Sequence, residues 1–182
     1  MKNKITKNSI NDLPGLNFDY TAKQYSGYLK LSSGSNLFYW LLEAQSDAPS
    51  KLPLILWVNG QPSCSALQAL SSIGPFLVNP DGKTAFENVY AWNKVANLLF
   101  IDSIPEVGFS YRDSSSQAAK ITDDSIANDA VEALQKFVQS FPEYKGRDLY
   151  LTGVSNAGVY IPLMAKKIIE VTNNDPSKMC LS

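Results

Sequence analysis

Residues 153–158, Gly-Val-Ser-Asn-Ala-Gly, place a serine among small residues directly after an apolar run. The small residues leave room for a sharp turn between a strand and a helix, which would present the Ser155 hydroxyl as a nucleophile above the end of the strand. The backbone N–H of Asn156 would then face the oxyanion that attack by Ser155 produces. A strand-to-helix connection without any chemistry explains the same residues, so this segment alone leaves both interpretations open.

A second loop of this kind follows the apolar run Leu54–Val58 and reads Asn-Gly-Gln-Pro-Ser-Cys-Ser from Asn59 onward. Backbone N–H groups in such a loop are able to form the other half of an oxyanion hole, and the Asn59 amide is a suitable donor to a substrate carboxylate. A proline-containing turn with no function accounts for the loop equally well.

The composition limits the chemistry further. The 182 residues are 45% hydrophobic, which suits one buried core and is too little chain for two ordinary domains. Sixteen basic and seventeen acidic residues, without a basic cluster, argue against nucleic-acid and membrane binding. With two distant cysteines and no histidine, we expect no metal site and no cofactor. The polypeptide also has no imidazole to act as a general base.

The elements that must position these loops alternate between strand and helix. Two β-prone runs at 25–32 and 37–44 flank a glycine-containing turn and predict an antiparallel hairpin. Apolar runs at Leu54–Val58, 96–101 and 148–152 predict strands buried on both faces. Helices are predicted between them, one capped by Asp123 or Asp124 and ending before Pro142, and one over 157–171. The pattern predicts an α/β fold with a mostly parallel sheet, preceded by the hairpin.

In this order the segments resemble the serine carboxypeptidases, a branch of the α/β-hydrolases, and most closely their lysosomal protective-protein branch. The resemblance begins at Leu13 and covers nearly the whole chain. It is carried by the two loops above and by the following segments: Tyr-Ser-Gly-Tyr at 25–28, Leu-Phe-Tyr-Trp at 37–40, Gly-Pro-Phe at 74–76, Trp-Asn-Lys-Val-Ala-Asn at 92–97, Leu-Phe-Ile-Asp-Ser at 99–103, Val-Gly-Phe-Ser-Tyr at 107–111 and Phe-Pro-Glu-Tyr at 141–144.

The resemblance implies a role for each matching residue. The nucleophile falls on Ser155, and the backbone oxyanion donors fall on Gln61 and Asn156. Asn59 and Gly60 match positions that help to bind the terminal carboxylate of a peptide substrate. The implied reaction is the release of carboxyl-terminal residues through an acyl-enzyme, without a cofactor.

Three departures from the family pattern concern the site itself. Val154 stands where the family has a glutamate that hydrogen-bonds the substrate carboxylate, which predicts weaker exopeptidase recognition. Gln61 and Ser63 replace glycines of the family loop, and side chains there strain the oxyanion hole if the backbone requires a positive φ or a close approach. Asn156 replaces a tyrosine, which keeps the backbone donor and removes an aromatic wall.

The fourth departure is that the aspartate and histidine of the family triad have no counterpart in this sequence. We therefore interpret 1–182 as a single partial domain without the later strands and the helical insertion, inactive as this chain. The rival interpretation is a non-catalytic, carboxypeptidase-like fragment or pseudoenzyme that binds a peptide or a partner. With no leader at the start, the sequence as written predicts a cytoplasmic protein, whereas the family is lysosomal or secreted.

The strand predicted at 148–152 would be an open sheet edge in such a partial domain. Its unpaired N–H and C=O groups, together with Leu149, Tyr150 and Leu151, would then favour self-association.

Overall fold

The computed structural model describes residues 8–60, 63–114, 120–174 and 180–181. These residues form ten strands and three α-helices. In chain order the strands are β1 Asn8–Ile10, β2 Gln24–Lys30, β3 Ser35–Leu42, β4 Leu54–Val58, β5 Phe76–Val78, β6 Ala85–Glu87, β7 Asn97–Ile101, β8 Tyr111–Arg112, β9 Asp148–Gly153 and β10 Cys180–Leu181. The helices are α1 Leu67–Ile73, α2 Asp123–Ser140 and α3 Ala157–Asn174. No helix within the described ranges is long and apolar enough to cross a membrane.

The main sheet has the order β1-β2-β3-β7-β4-β9-β10, with β8 paired to the start of β3. Strands β1 to β3 and the β3–β7 pair are antiparallel, and β7, β4, β9 and β10 run parallel. The predicted α/β class, with a parallel sheet after an antiparallel hairpin, is therefore confirmed. Strands β5 and β6 form a separate two-stranded ribbon.

Helices cover both faces of the sheet, as parallel strands require. On one face α2 and α3 bury the largest side chains against β2, β3, β4 and β9, with Tyr39, Phe137 and Phe141 at the centre. On the other face α1 packs with Phe76 against Leu42, Leu98 and Phe100. The loops at the ends of β4, β7 and β9 are thus held by a sheet packed on two sides.

The N-cap of helix α2 lies one residue before Asp123 and two before Asp124, the two predicted candidates. Thr122 is the N-cap residue, and its hydroxyl oxygen accepts a hydrogen bond from the Ser125 N–H at 3.2 Å. The Ser125 hydroxyl accepts in return from the Thr122 N–H at 2.8 Å, which completes a capping box. Asp123 and Asp124, which were expected to cap the helix, lie in its first turn, where their charges favour the helix dipole.

The exposure expected along β9 is only partly right. Tyr150 is 43% exposed, but Leu149 is buried and Leu151 is half-buried, because their side chains lie on the face that α3 covers. Strand β10, which the sequence did not predict, pairs with Asp148 and Leu149. The start of β9 is therefore covered on both sides, and the open stretch is shorter than expected.

The buried Tyr39 hydroxyl offers a test of the core. Its oxygen has no hydrogen-bond partner within the described residues, and burial raises the pKa of this tyrosine to about 12. Tyrosinate therefore forms at a lower pH in the unfolded chain than in the folded one, so the free energy of unfolding should fall as the pH rises above about 10. In Tyr39→Phe this fall should be less steep, by the contribution of about one proton. Tyr39→Phe should also stabilise the neutral protein by about 1 kcal/mol, since an unpaired hydroxyl disappears.

Urea unfolding between about pH 9 and about pH 11.5 measures both effects of Tyr39→Phe. The pKa of Tyr20 and that of Tyr144 are also raised by burial, so the variant should keep part of the alkaline dependence. An unchanged slope, or a variant less stable at neutral pH, would contradict the assignment of an unpaired hydroxyl.

Candidate active site

Three loops meet at the carboxyl end of the parallel strands. Asn59 follows β4, Asp102 follows β7, and Ser155 lies between β9 and α3. Trp57 is the Cα partner of both Phe100 and Thr152, so the three strands end level with one another. Open α/β sheets bind ligands at this edge.

Ser155 occupies a sharp turn in left-handed backbone conformation, with φ of 61°. The turn is closed by two hydrogen bonds, from the Ala157 N–H to the Val154 carbonyl at 3.2 Å and from the Gly158 N–H to the Ser155 carbonyl at 3.0 Å. A non-glycine residue in this region is held at a cost of about 1–3 kcal/mol and marks a site where the surroundings impose the geometry. Ser155 and Asn156 are both exposed, so the hydroxyl is accessible.

Gly60 is the point where the two predicted loops touch. A Cβ built on Gly60 would overlap the Val154 carbonyl oxygen and lie 2.9 Å from the Asn156 backbone nitrogen. Only a residue without a side chain fits here, and it places the β4 loop directly beside the proposed oxyanion donor. The structure therefore brings Gly60, Ser155 and Asn156 together.

Asn59 supports its own loop. Its amide nitrogen donates to the Cys64 carbonyl at 2.6 Å and to the Ser65 carbonyl at 3.4 Å. Contact with a substrate carboxylate would require the amide to give up one of these carbonyls. Gln61, the other predicted oxyanion donor, lies outside the described residues, so its role stays a prediction.

Asp102 holds the loops of the site together. The sequence predicted a structural role for this residue but not the groups that it binds. It is 3% exposed, and its carboxylate accepts hydrogen bonds from the Ser65 hydroxyl at 2.8 Å, the Ala66 N–H at 2.7 Å and the Phe109 N–H at 3.0 Å. A Cβ on Gly108, whose φ is +59°, would overlap the carboxylate. An aspartate at the end of a buried strand, followed closely by a glycine, is the signal that points to such an anchor.

The residue before the serine faces outward. Val154 is 59% exposed, and its contact with Gly60 is made through the backbone carbonyl. The valine side chain offers no hydrogen bond to a ligand beside Ser155. Val154 therefore lies beside Ser155, and its place at the recognition position stays a prediction.

The similarity of this chain to a known family extends far beyond the Ser155 turn. A family profile described as serine carboxypeptidase matches residues 14–181. The chain belongs to the serine carboxypeptidase family. Lysosomal protective protein of Mus musculus is 45% identical over 172 residues, which is 94% of this chain and 35% of that protein. Serine carboxypeptidase ctsa-4.1 of Caenorhabditis elegans is 46% identical over 169 residues, or 92% of this chain and 35% of that protein.

One solved structure agrees with this family and a second agrees with the fold. A prohormone-processing carboxypeptidase from Saccharomyces cerevisiae superimposes with a TM-score of 0.75 at 31% identity, covering 92% of this chain and 38% of that one. Juvenile hormone epoxide hydrolase from the silkworm Bombyx mori superimposes with a TM-score of 0.50 at 12% identity over 87% of this chain and 34% of that one, which supports the fold alone. This serine carboxypeptidase chain spans about 35% of the length of its curated relatives.

Gly60→Ala tests the contact between the two loops. The new methyl group would displace the Val154 carbonyl or the Asn156 amide, so we expect a loss of about 2–3 kcal/mol in the free energy of unfolding. Gly158→Ala is the matched control, because a Cβ there meets no atom within 4 Å and alanine suits a helix better than glycine. Chemical denaturation of both variants measures the difference. Equal stability of the two variants would contradict the close approach at Gly60.

Proposed function

We propose that this chain carries the nucleophile part of a serine-type carboxypeptidase site, with Ser155 as the nucleophile. The observation that carries the proposal is the exposed Ser155 at φ of 61° between β9 and α3, beside the Asn156 amide and the buried Gly60. Membership of the serine carboxypeptidase family supports it independently.

In the proposed reaction, the Ser155 oxygen attacks the carbonyl carbon of the last peptide bond of the substrate. The backbone N–H groups of Asn156 and Gln61 stabilise the oxyanion of the tetrahedral intermediate. Collapse of the intermediate breaks the C–N bond, and the leaving amine takes a proton as the acyl-enzyme forms. Water then attacks the acyl-enzyme, releases the shortened peptide and returns the proton to Ser155.

A general base is required at both stages, and no histidine occurs among the 182 residues. The proposal therefore places the base, and the acid that orients it, in polypeptide beyond this sequence. As the 182-residue chain alone, the protein is proposed to be inactive.

A chimaera tests the proposal directly. Residues 1–174 of this chain are joined to the part of mouse lysosomal protective protein that follows its matched segment. We expect time-dependent release of the last residue from a blocked dipeptide, lost in Ser155→Ala and kept in Ser71→Ala, whose hydroxyl donates to the Gln68 carbonyl in the first turn of α1. Activity that survives Ser155→Ala would overturn the assignment of the nucleophile.

Val154→Glu in this chimaera should improve recognition of a free carboxyl terminus. A protonated glutamate donates a hydrogen bond to the substrate carboxylate, which valine cannot do, so kcat/KM for acid over amidated substrate should rise about tenfold. Val159→Glu, another exposed valine near the start of α3, is the matched control. If the preference for acid over amide stays the same in Val154→Glu, this residue does not lie at the recognition position.

A non-catalytic binding function is the second candidate, favoured by the missing histidine and by Val154. In that case the β4 loop and the Ser155 turn bind a peptide without cleaving it. Calorimetric titration of the chimaera with a blocked dipeptide separates the two candidates. The binding function is supported if the dipeptide binds equally well to the chimaera and to its Ser155→Ala variant and no product forms.

A further inference from the structure

A groove of about 530 Å³ lies between α2 and α3, lined by residues within 128–139 of α2 and 167–171 of α3. We call it the α2–α3 groove. Its volume falls within the range of about 300–1,000 Å³ that sites for small molecules have. Lys167 is ten residues after Ala157, so it lies about 15 Å along α3 from the end of the helix that adjoins Ser155. The α2–α3 groove is therefore separate from the candidate active site and large enough for a small ligand.

Four polar side chains that line the α2–α3 groove are not engaged by the protein. They are the amides of Asn128, Gln135 and Gln139 and the ammonium group of Lys167, which is half-buried. Among the residues that the structure describes, none of these four groups has a hydrogen-bond or ion-pair partner. Each amide offers two donors and an acceptor, and the ammonium group offers three donors. Together they match a ligand that has several hydroxyl groups and one anionic group.

The two carboxylates of the groove already have partners within the protein. Glu132 accepts hydrogen bonds from the N–H and from the hydroxyl of Ser32, both at 2.8 Å, and it pairs with Lys136 at 3.8 Å. Glu170 pairs with the lysine four residues before it at 4.0 Å. Lys167 is therefore the lining charge without a counter-charge in the described part of the chain, and the ligand group that it attracts is an anion.

The remaining lining residues narrow the class of ligand. Val131 and Val171 supply the apolar part of the α2–α3 groove, and none of the described residues that line it is aromatic. Valine methyl groups pack well against the C–H groups of a sugar ring. A nucleobase would find no aromatic side chain to stack on. The lining thus favours a saccharide over a nucleotide.

We propose that the α2–α3 groove binds an anionic sugar, either a sugar acid or a sugar phosphate. The hydroxyl groups bond the amides of Asn128, Gln135 and Gln139, and the carboxylate or phosphate group pairs with Lys167. A charge-assisted hydrogen bond to Lys167 is the strongest single contact of this arrangement. The inference rests on the groove alone and does not depend on the proposed chemistry of Ser155.

Isothermal titration calorimetry of the full 182-residue chain tests the proposal with four probes, which are glucose 6-phosphate, glucuronate, glucose and inorganic phosphate. At least one of the two anionic sugars should bind with a Kd of about 1 mM or lower. Glucose and inorganic phosphate should bind at least about tenfold more weakly, because each makes only part of the contacts. A preference between the two anionic sugars identifies the anionic group that Lys167 accepts.

Two variants separate the parts of the site. Lys167→Gln should weaken the binding of the preferred anionic sugar about tenfold, because the charge-assisted hydrogen bond is lost. Gln135→Ala should weaken it about threefold and leave the binding of inorganic phosphate unchanged. Lys145→Gln is the matched control, because Lys145 is an exposed lysine that does not line the groove, and its loss should leave both affinities unchanged.

Three results would overturn the proposal. If neither anionic sugar binds, the groove is not such a site. If inorganic phosphate binds as tightly as glucose 6-phosphate, the contact is that of an adventitious ion only. If Lys145→Gln weakens binding as much as Lys167→Gln does, the sugar responds to the overall charge of the protein and not to this groove. Because none of these measurements uses hydrolysis, failure of the proposed function leaves them intact.

Discussion

The purified 182-residue chain should show no hydrolysis of blocked dipeptides above background between about pH 4 and about pH 8, and no stoichiometric reaction with a fluorophosphonate. The physical reason is that the serine hydroxyl has to lose its proton as it attacks, and the sequence has no histidine to accept it. Removal of a triad member lowers kcat by up to about 10⁶-fold in serine proteases, so the expected effect is close to complete loss.

Ser155→Ala is the matched control for this experiment, because it removes the hydroxyl and leaves the turn in place. Intact-mass spectrometry after incubation with the fluorophosphonate should give each protein at its own unmodified mass. Labelling of the original chain that disappears in Ser155→Ala would mean that another group activates the serine, and the expectation of inactivity would be wrong.

Asp102→Asn should cause the largest loss of stability among single substitutions at the site edge. The buried carboxylate accepts hydrogen bonds from Ser65, Ala66 and Phe109, and an asparagine keeps one acceptor oxygen while it turns an NH₂ group toward N–H or O–H donors. Charge-assisted hydrogen bonds to a buried group contribute about 1.5–3 kcal/mol each, so we expect a loss of about 3 kcal/mol in the free energy of unfolding. Urea denaturation measures it.

Asp81→Asn is a well-matched control for Asp102→Asn. The Asp81 carboxylate also accepts three hydrogen bonds, from the Lys83 N–H, the Thr84 N–H and the Thr84 hydroxyl, and these bonds lower its pKa. It lies in an exposed turn, where water replaces lost hydrogen bonds, so its loss should be clearly smaller. Equal losses in the two variants would show that burial adds nothing at Asp102.

The strands and turns of the sheet could be predicted because each of them depends on residues that are close together in the sequence. The buried strand Leu54–Val58 was predicted with its observed bounds, since a continuous apolar run between proline and Asn-Gly carries its own start and end. The turn at Ser155 was predicted from its small residues, and the structure holds this serine at positive φ. The N-cap of α2 was placed one or two residues too late, because Thr122 and the two following aspartates are all good capping residues.

The features that were missed depend on residues far apart in the chain. Asp102 binds Ser65 and Ala66 from another loop, and no local pattern reveals which donors a buried carboxylate will meet. The fit of Gly60 against Val154 joins positions more than ninety residues apart. The short pairing of β10 with Asp148 and Leu149 was missed because two residues are too few for a periodic pattern.

The contact between Gly60 and Val154 makes the backbone position of Ser155 independent of the side chain of residue 154. Gly60 meets the carbonyl oxygen of residue 154, so the backbone that positions Ser155 does not depend on which side chain residue 154 carries. That side chain is 59% exposed and lies next to Ser155 in the chain. Residue 154 can therefore be replaced without displacing the serine, so a side chain able to bind a ligand beside Ser155 can be introduced here without rebuilding the turn.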